Sequence, residues 1–511
     1  MSNVFKIYLR KNIVSYIIDY IIKSSRNFNN YYYFFIFLAP LYYLPAFFMP
    51  GLYIEGIEHV EKLYYLNYIK DILWLILVFL FLTVFFFSEK VKKNTRGFLK
   101  KGLNSTIVIL FCITFTYATT LGFINAAISL NLNYTGFLIA FVLGLRQFFE
   151  FVFMAFITYV LINSKDDIKV ILKIIFISGF FVMFFGYIQI AFFSSINPAS
   201  YGGIIARTYS TLLNPNNLAS FIGLILLLLV PLYIKCYRNQ LSRFKKIVFD
   251  AYFIFMTILL FTTISLSGIF GILVGFIVIY CVLKINWYGL VNYKLINLKS
   301  VFINFLILTI LLVGFLTYVE KEKLAQMTHL PSFIMERVTN VVSGQDKSLN
   351  TRKTILANYF SEEASSSWYY FTFGKGLYFS LRFTKGIVNE EQRILDNFYL
   401  QLHRRIGILG LLLFMGVFVV GMIKAYQTYR YSSDLFIKML TLGIFGFFAH
   451  ILFKCLFLEI LSNQFPTNMF CWLLIGIILT FNTKIKVNND EITHLESNDN
   501  FLKGESIRPS I

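Results

Sequence analysis

The sequence is poor in charge and in cysteine. Only 14% of its 511 residues are charged and 58% are hydrophobic, whereas about a quarter of a soluble globular domain is charged. This composition excludes an ordinary soluble protein. The five cysteines lie within or beside apolar blocks, and none is paired at the spacing of metal ligands. We therefore expect small buried hydrophobes, with no disulfide, no metal and no other cofactor.

Features of three other classes of protein are missing too. The net charge of +20 lies in short segments between apolar blocks. No basic helix with interleaved aromatics stands apart from those blocks, so we expect no nucleic acid partner. There is no repeat of solenoid length. In residues 1–30, basic residues surround an apolar stretch that no small-residue cleavage site follows. This pattern predicts an amphipathic helix on the cytoplasmic face of a membrane rather than a cleaved signal peptide.

Long apolar blocks are what the sequence has instead. Leu73–Phe87, Ala251–Thr263 and Phe302–Leu316 contain no charged residue. With their flanks such blocks reach about 20 residues, enough helix to cross about 30 Å of hydrocarbon. A helix is required there because lipid cannot hydrogen-bond an open backbone. We predict an all-α integral membrane protein with about twelve transmembrane helices, at approximately 31–49, 68–87, 103–122, 137–162, 170–193, 217–236, 248–264, 267–284, 300–318, 406–423, 436–459 and 467–481.

The distribution of lysine and arginine predicts the orientation. Segments 88–102 and 235–247 are strongly basic, whereas 50–67 carries glutamates and 123–136 has no charge. Cytoplasmic loops are the basic ones in membrane proteins, so we expect both termini in the cytoplasm of a cell (inner) membrane. The predicted organisation is an N-terminal segment 1–30, spans one to nine in 31–318, an external loop domain 319–405, spans ten to twelve in 406–481 and a polar tail 482–511.

The loop 319–405 is far longer than the other connections, and loops of this length are usually functional or disordered. Its cluster of aromatics around Trp368 argues against disorder. Apolar residues recur at helical spacing in Ser332–Val342 and Arg352–Phe360. We therefore expect a mainly helical cap over the external face.

The first candidate site segment precedes the sixth span. It contains Arg207 and then Asn214-Pro215-Asn216. Asn-Pro is a turn signal, and Asn216 or Asn217 can cap the following helix. A helix N-terminus favours anions, and arginine can hold phosphate with two hydrogen bonds. An ordinary turn with an interfacial arginine fits the same spacing.

The second segment lies in the large loop. It contains Arg352, Trp368 and the run Gly374-Lys375-Gly376. Two glycines allow a close approach of the backbone to a ligand. The run is not a P-loop, because the required spacing and the Ser or Thr after the lysine are missing.

The third segment enters the tenth span and contains Asp396, Asn397, His403 and Arg404. On one continuous helix Asp396 and His403 share a face, where a carboxylate and an imidazole could act as a general base. The alternative is an interfacial anchor with a solvated charge cluster.

Together and in this order, the three segments resemble the O-antigen ligase and polymerase superfamily. The Arg207…Asn214-Pro215-Asn216 segment is similar to its Arg…Thr…Asn-Pro-Asn signature, and Gly186-Tyr187-Ile188-Gln189 to the Gly…Gln that ends the preceding span. Asn397 followed by Gly407-Ile408-Leu409-Gly410 is similar to the motif that closes the large loop. The resemblance covers roughly residues 130–425.

The chain departs from this family at two positions. Many members have histidine where this chain has Asp396, and many have arginine in the span-breaking segment where Ser265-Leu266-Ser267-Gly268 has Leu266. The first departure makes Asp396 the expected base, with His403 as the second candidate. The second gives more weight to Arg207 and Arg352 as the groups that hold phosphate.

The resemblance implies a metal-independent glycosyltransferase of the GT-C type. Its donor and acceptor would be polyprenyl-diphosphate-linked oligosaccharides, and its product a surface polysaccharide such as O-antigen, capsule or exopolysaccharide. Arg207 and Arg352 would bind the diphosphate, and Asn214, Asn216, Asn397, Lys375 and Arg404 would make other substrate contacts. Membrane lipid, a chain-length regulator and a flippase of the same pathway are the expected partners.

Three alternatives stay open. A ligase would transfer the glycan to a second acceptor, and the aspartate in place of histidine favours the polymerase over it. A flippase for the same lipid-linked units would also have basic inner loops, but would not need a large folded cap. A polyprenyl-monophosphate-dependent enzyme would use acidic residues of the first external loop; Glu55, Glu58 and Glu61 are spaced three apart, which we interpret as one solvated helix face.

Overall fold

The structure is a computed structural model, and it describes part of the chain. The described residues are 28–42, 44, 60–102, 105–128, 152–192, 208, 210–212, 214–287, 343, 350, 353–354, 356–357, 359, 361, 368–374, 397–458, 461 and 465–484. These residues are about 91% helical and contain no strand, which confirms the all-α prediction.

The helices are numbered here in chain order. They are α1 Phe28–Leu38, α2 Val60–Phe87, α3 Glu89–Gly97, α4 Thr106–Ile128, α5 Val152–Leu161, α6 Lys165–Phe192, α7 Pro215–Leu232, α8 Arg243–Thr262, α9 Leu266–Trp287, α10 Trp368–Phe373, α11 Phe398–Tyr431, α12 Leu435–Cys455 and α13 Thr467–Thr483. They coincide at least in part with every predicted span except the ninth, 300–318, which lies outside the described residues.

Several of these helices can cross a membrane. Five in the described part of the chain are long and apolar enough, namely Lys165–Ile190, Pro215–Gln240, Leu266–Lys284, Phe398–Tyr431 and Leu435–Cys455. A sixth is added if the pair Asp71–Phe86 and Glu89–Gly102, bent by 98°, counts as one span. These helices indicate a membrane protein, whereas the count of twelve spans remains a prediction.

The outer faces of the helices are apolar, as lipid contact requires. Leu75 and Phe79 of α2 are 64% and 69% exposed, and Leu412 of α11 is 63% exposed. Isolated exposed apolar residues are common, but rows of them on long helices mark a surface that water does not cover.

One expected span is interrupted within its described part. Residues 31–49 were expected to form one helix, but α1 ends at Leu38 and a 3-10 turn, Ala39–Leu41, follows. Pro40 lies in that turn. It has no backbone N–H and cannot continue the hydrogen-bond ladder of the helix.

The helices α7, α9 and α12 pack against one another through glycines. A Cβ atom on Gly275 of α9 would lie 2.8 Å from the carbonyl oxygen of Gly446 on α12. A Cβ atom on Gly443 would lie 2.7 Å from the carbonyl oxygen of Leu227 on α7. Small residues let helix backbones approach closely, which is how helices gain packing energy in a membrane.

Polar contacts join several loops at one end of the bundle, which we call the basic end. The Lys165 ammonium pairs with Asp434, which caps the start of α12. Arg238 pairs with Asp250 at 3.2 Å, and the Asn94 amide donates to the carbonyl of Val160 at 2.8 Å.

The carboxyl of Asp434 has a pKa below its ordinary value. Partial burial acts to raise it, but hydrogen bonds from Lys165 and from the amides of Ile437 and Phe436 outweigh that effect. The charged form of Asp434 therefore stabilises the start of α12.

Candidate functional site

The Asn-Pro-Asn turn lies at the opposite end of the bundle, which we call the turn end. Asn214 has an extended backbone, and its Oδ1 accepts a hydrogen bond from the Asn216 amide at 2.8 Å. Pro215 is the first residue of α7. The prediction that Asn216 or Asn217 caps this helix is therefore wrong. Proline favours the first helical position, so Pro215 occupies that position and the residue before it, Asn214, is the cap.

The break between α8 and α9 meets this turn. The Ser265 hydroxyl donates to Oδ1 of Asn216 at 2.8 Å and accepts from the Gly268 amide at 3.3 Å. Ile264 has a φ of 51°, an uncommon conformation for a β-branched residue that neighbouring contacts must hold in place. The span-breaking segment singled out in the sequence thus folds against the side chain of Asn216.

A lysine that sequence reasoning missed completes this arrangement. Lys454, in the last turn of α12, has no exposed surface. Its Nζ donates to the Asn216 carbonyl at 2.8 Å and to Ser220 Oγ at 2.6 Å. We call Asn214, Asn216, Ser220, Ser265 and Lys454 the turn cluster. The signal in the sequence was a charge inside the predicted span 436–459, where an ionisable residue indicates function.

The third candidate segment reaches the same place. Asn397 caps α11, with its Oδ1 accepting from the Leu400 amide at 3.1 Å. Its Nδ2 donates to the carbonyl of Leu456 at 2.9 Å. Leu456 is two residues beyond Lys454, so Asn397 is tied to the end of the helix that also holds the turn cluster.

The segment before the Asn-Pro-Asn turn is anchored by the predicted glutamine. Gln189 of α6 is 3% exposed, and its Oε1 accepts from the Ser210 amide at 2.8 Å. The Ser210 hydroxyl donates to the Val182 carbonyl at 2.6 Å. The Thr208 amide donates to the carbonyl of Thr262, the last residue of α8, at 3.1 Å. These bonds bring the end of α6 to the turn end as well.

The sequence argument placed Asp396 and His403 on one helical face. It needs one continuous helix, but Asn397 has an extended backbone (φ −141°, ψ 116°) and α11 begins at Phe398. The helix therefore does not extend back through Asn397, and Asp396 itself lies outside the described residues. His403 itself is only 6% exposed, which contradicts the interpretation of this residue as part of a solvated charge cluster.

The imidazole of His403 contacts the large loop. Its Nδ1 is hydrogen-bonded to the Tyr359 hydroxyl, and the Phe371 ring meets it edge-on with centroids 4.8 Å apart. The described residues between 350 and 361 are helical, as predicted for that stretch. Two parts of the loop, at Tyr359 and at Phe371, thus contact the N-terminal part of α11.

The two glycine motifs meet each other. Gly374 and Gly407 both have positive φ, at 81° and 66°. A Cβ on Gly374 would lie 2.5 Å from the Arg405 carbonyl oxygen, and one on Gly407 would lie 2.5 Å from the Phe373 nitrogen. Gly374 was expected to bring the backbone close to a ligand. In the structure it brings the backbone of the loop against that of α11, which only glycine permits.

Four predicted site residues, Arg207, Arg352, Lys375 and Asp396, lie outside the described residues. Arg404 is half-buried on α11, and its neighbour Arg405 is fully buried. Within the described part of the chain, no group of three or more His, Cys, Asp or Glu residues could hold a metal ion.

The turn cluster combines two sources of positive potential. The first turn of α7 presents the positive end of its helix dipole, and the Lys454 ammonium lies beside it. Serine hydroxyls and asparagine amides supply neutral donors and acceptors. Such an arrangement suits an anionic group rather than a cation.

No protein-family model matches this sequence, and a search of curated proteins finds no similar one. A functional assignment therefore rests on the sequence motifs and on the geometry of the turn end.

Proposed function

We propose that the chain is a membrane glycosyltransferase that polymerises polyprenyl-diphosphate-linked oligosaccharide units. The observation that carries the proposal is the meeting of distant segments at the turn end. The Asn214–Asn216 turn, the break at Ser265 and the cap at Asn397 are more than 180 residues apart at their extremes. Asn216 and Asn397 both bond to the end of α12, and Ser265 bonds to Asn216.

The reaction needs three things of this end. A hydroxyl of the acceptor sugar attacks the anomeric carbon of the donor, the bond from that carbon to the diphosphate oxygen breaks, and polyprenyl diphosphate leaves. Fixed positive charge stabilises the leaving group, and a base accepts the hydroxyl proton. Bound sugars also need hydrogen-bonding groups in a fixed place.

The residues are assigned these roles as follows. Arg207 and Arg352 hold the diphosphate, for which the forked guanidinium is suited. Asp396 takes the proton, with His403 as the alternative base. Further substrate contacts come from Asn214, Asn216, Asn397, Lys375 and Arg404. We place the turn end on the external side of the cell membrane, both termini in the cytoplasm and twelve spans between them, because the basic loops lie at the other end.

The products of the purified protein test this proposal. Given a single lipid-linked repeat unit in proteoliposomes, the wild-type protein should produce a ladder of longer chains that remain on polyprenyl diphosphate. Chains that appear only on a second acceptor would identify a ligase. A unit that merely crosses the bilayer, with no new glycosidic bond, would identify a flippase and refute glycosyl transfer.

The same assay identifies the base. Asp396→Asn keeps the shape of the side chain and removes its basicity, so this variant should bind the donor and lose turnover, whereas His403→Asn should be mild. The reverse outcome would assign the base to His403. Normal turnover in both variants would remove either residue from proton transfer.

A further inference from the structure

Lys454 is placed unusually for a lysine at the end of a membrane-spanning helix. Such side chains normally extend outward, so that the ammonium reaches water. Lys454 instead has no exposed surface, and its ammonium is bonded to α7. Ser220, one of its two partners, lies four residues inside the helix from Asn216, which places it about 6 Å deeper along the axis.

The contacts of Lys454 converge on one residue. Its ammonium donates to the Asn216 carbonyl, and the Ser220 hydroxyl donates to that same carbonyl at 3.0 Å. On the other side, Ser265 donates to the side-chain Oδ1 of Asn216. Asn216 is therefore held through its backbone by α12 and through its side chain by the α8–α9 break.

The burial of Lys454 is costly for the fold. Removing a charge from water is unfavourable, and well-packed apolar side chains often replace buried charges with no loss of stability. A charged residue in such a place indicates a function. The negative end of the α12 helix dipole lies beside the Lys454 ammonium.

We infer that Lys454 is a positioning residue for the proposed reaction. It fixes the backbone of Asn216, so that the side-chain amide of Asn216 faces the donor in one orientation. This inference rests on the proposed function. Lys454 acts through Asn216 and does not itself touch the substrate. Misplacing such a group by about 1 Å is enough to lower turnover by about 100-fold.

The test compares Lys454→Met with Lys438→Met. Both changes remove one ammonium from α12, but Lys438 lies in the first turn, at the basic end. Lys454→Met should lower kcat by about 10- to 100-fold, with an unchanged or higher thermal midpoint in detergent. Lys438→Met should leave kcat near the wild-type value.

A double variant separates positioning from a general structural role. If Lys454 acts through Asn216, adding Asn216→Ala to Lys454→Met should cost little beyond Asn216→Ala alone, because residues that act as a unit are not additive. Losses that multiply, or a wild-type kcat in Lys454→Met, would overturn the inference.

Amide hydrogen exchange reports on the turn without relying on catalysis. In Lys454→Met, residues 214–220 should exchange faster than in the wild type, and in Lys438→Met they should not. If the wild-type protein makes no glycosidic bond, the proposed function is refuted but the positioning role is not. If the amide hydrogens of residues 214–220 exchange at the wild-type rate in Lys454→Met, the positioning role is refuted.

Discussion

The imidazole of His450 fills a slot between two glycines in the centre of the bundle. A Cβ on Gly223 of α7 would lie 2.7 Å from His450 Nε2, and one on Gly271 of α9 would lie 2.6 Å from Nδ1. His450 is fully buried on α12. The ring therefore packs tightly between α7 and α9, and a Cβ atom on either glycine would collide with it.

Gly223→Ala should consequently have opposite effects in two backgrounds. In the wild type, overpacking costs about 1–3 kcal/mol, which equals or exceeds the gain of about 1 kcal/mol from replacing glycine in a helix. With His450→Ala the clash is gone, and the same change should be neutral or stabilising. The coupling between the two positions should be about 1–3 kcal/mol.

Thermal unfolding of the four proteins in one detergent measures this coupling. Gly416→Ala on α11 is the control, since among the described residues its Cβ would meet Leu110 alone, at an ordinary 3.6 Å; it should not lower the midpoint. Equal effects of Gly223→Ala in both backgrounds would refute the reasoning, because the steric contact with His450 would then make no difference to stability.

Substitutions at two further positions probe the loop and the basic end. Gly407→Ala should detach the loop from α11, because its φ is positive and a Cβ would enter the backbone of α10; trypsin should then cleave within 319–405 faster than in Gly416→Ala, and equal rates would contradict this docking. Asp434→Ala should cost about 1 kcal/mol through loss of the cap, and Asp434→Asn less. Because the pKa of Asp434 is lowered by folding, its ionic contribution is present at neutral pH and lost as the pH falls below about 4. The difference in thermal midpoint between wild type and Asp434→Asn should shrink accordingly, and a constant difference would contradict the role of the charge.

Apolar blocks were sufficient to predict most helices. Lipid-facing and buried helices both appear in the sequence as long runs without charge. Such runs locate a helix, and α6, α9 and α12 begin and end within several residues of the predicted positions. Their ends were harder to predict, because a cap depends on the local conformation. Pro40 stops α1 early, and a helical segment from Phe398 precedes the predicted tenth span, which begins beside the non-helical Gly407 inside α11.

The candidate site was predictable only in part. The Asn-Pro-Asn turn and the break at Ser265 are local signals that the sequence shows, whereas the caps at Asn214 and Asn397 were not predicted. The partner of Asn216 could not be predicted from the sequence, because Lys454 lies 238 residues away. Only the packing of α7 against α12 brings them together, and no periodicity specifies which helices become neighbours.

The central claim is that glycosyl transfer takes place at the turn end. Two asparagines with comparable structural roles test it. Asn216 joins α7 to Ser265 and Lys454, and Asn94 joins α3 to the Val160 carbonyl and to Asn163 at the basic end. Each substitution by alanine should lower stability by about 1 kcal/mol.

The decisive measurement is the initial rate of chain extension on a lipid-linked repeat unit by Asn216→Ala and by Asn94→Ala, each compared with the wild type. The account predicts a loss of about 100-fold or more for Asn216→Ala and a rate within a few-fold of wild type for Asn94→Ala. A wild-type rate in Asn216→Ala, or equal losses in the two variants, would contradict it.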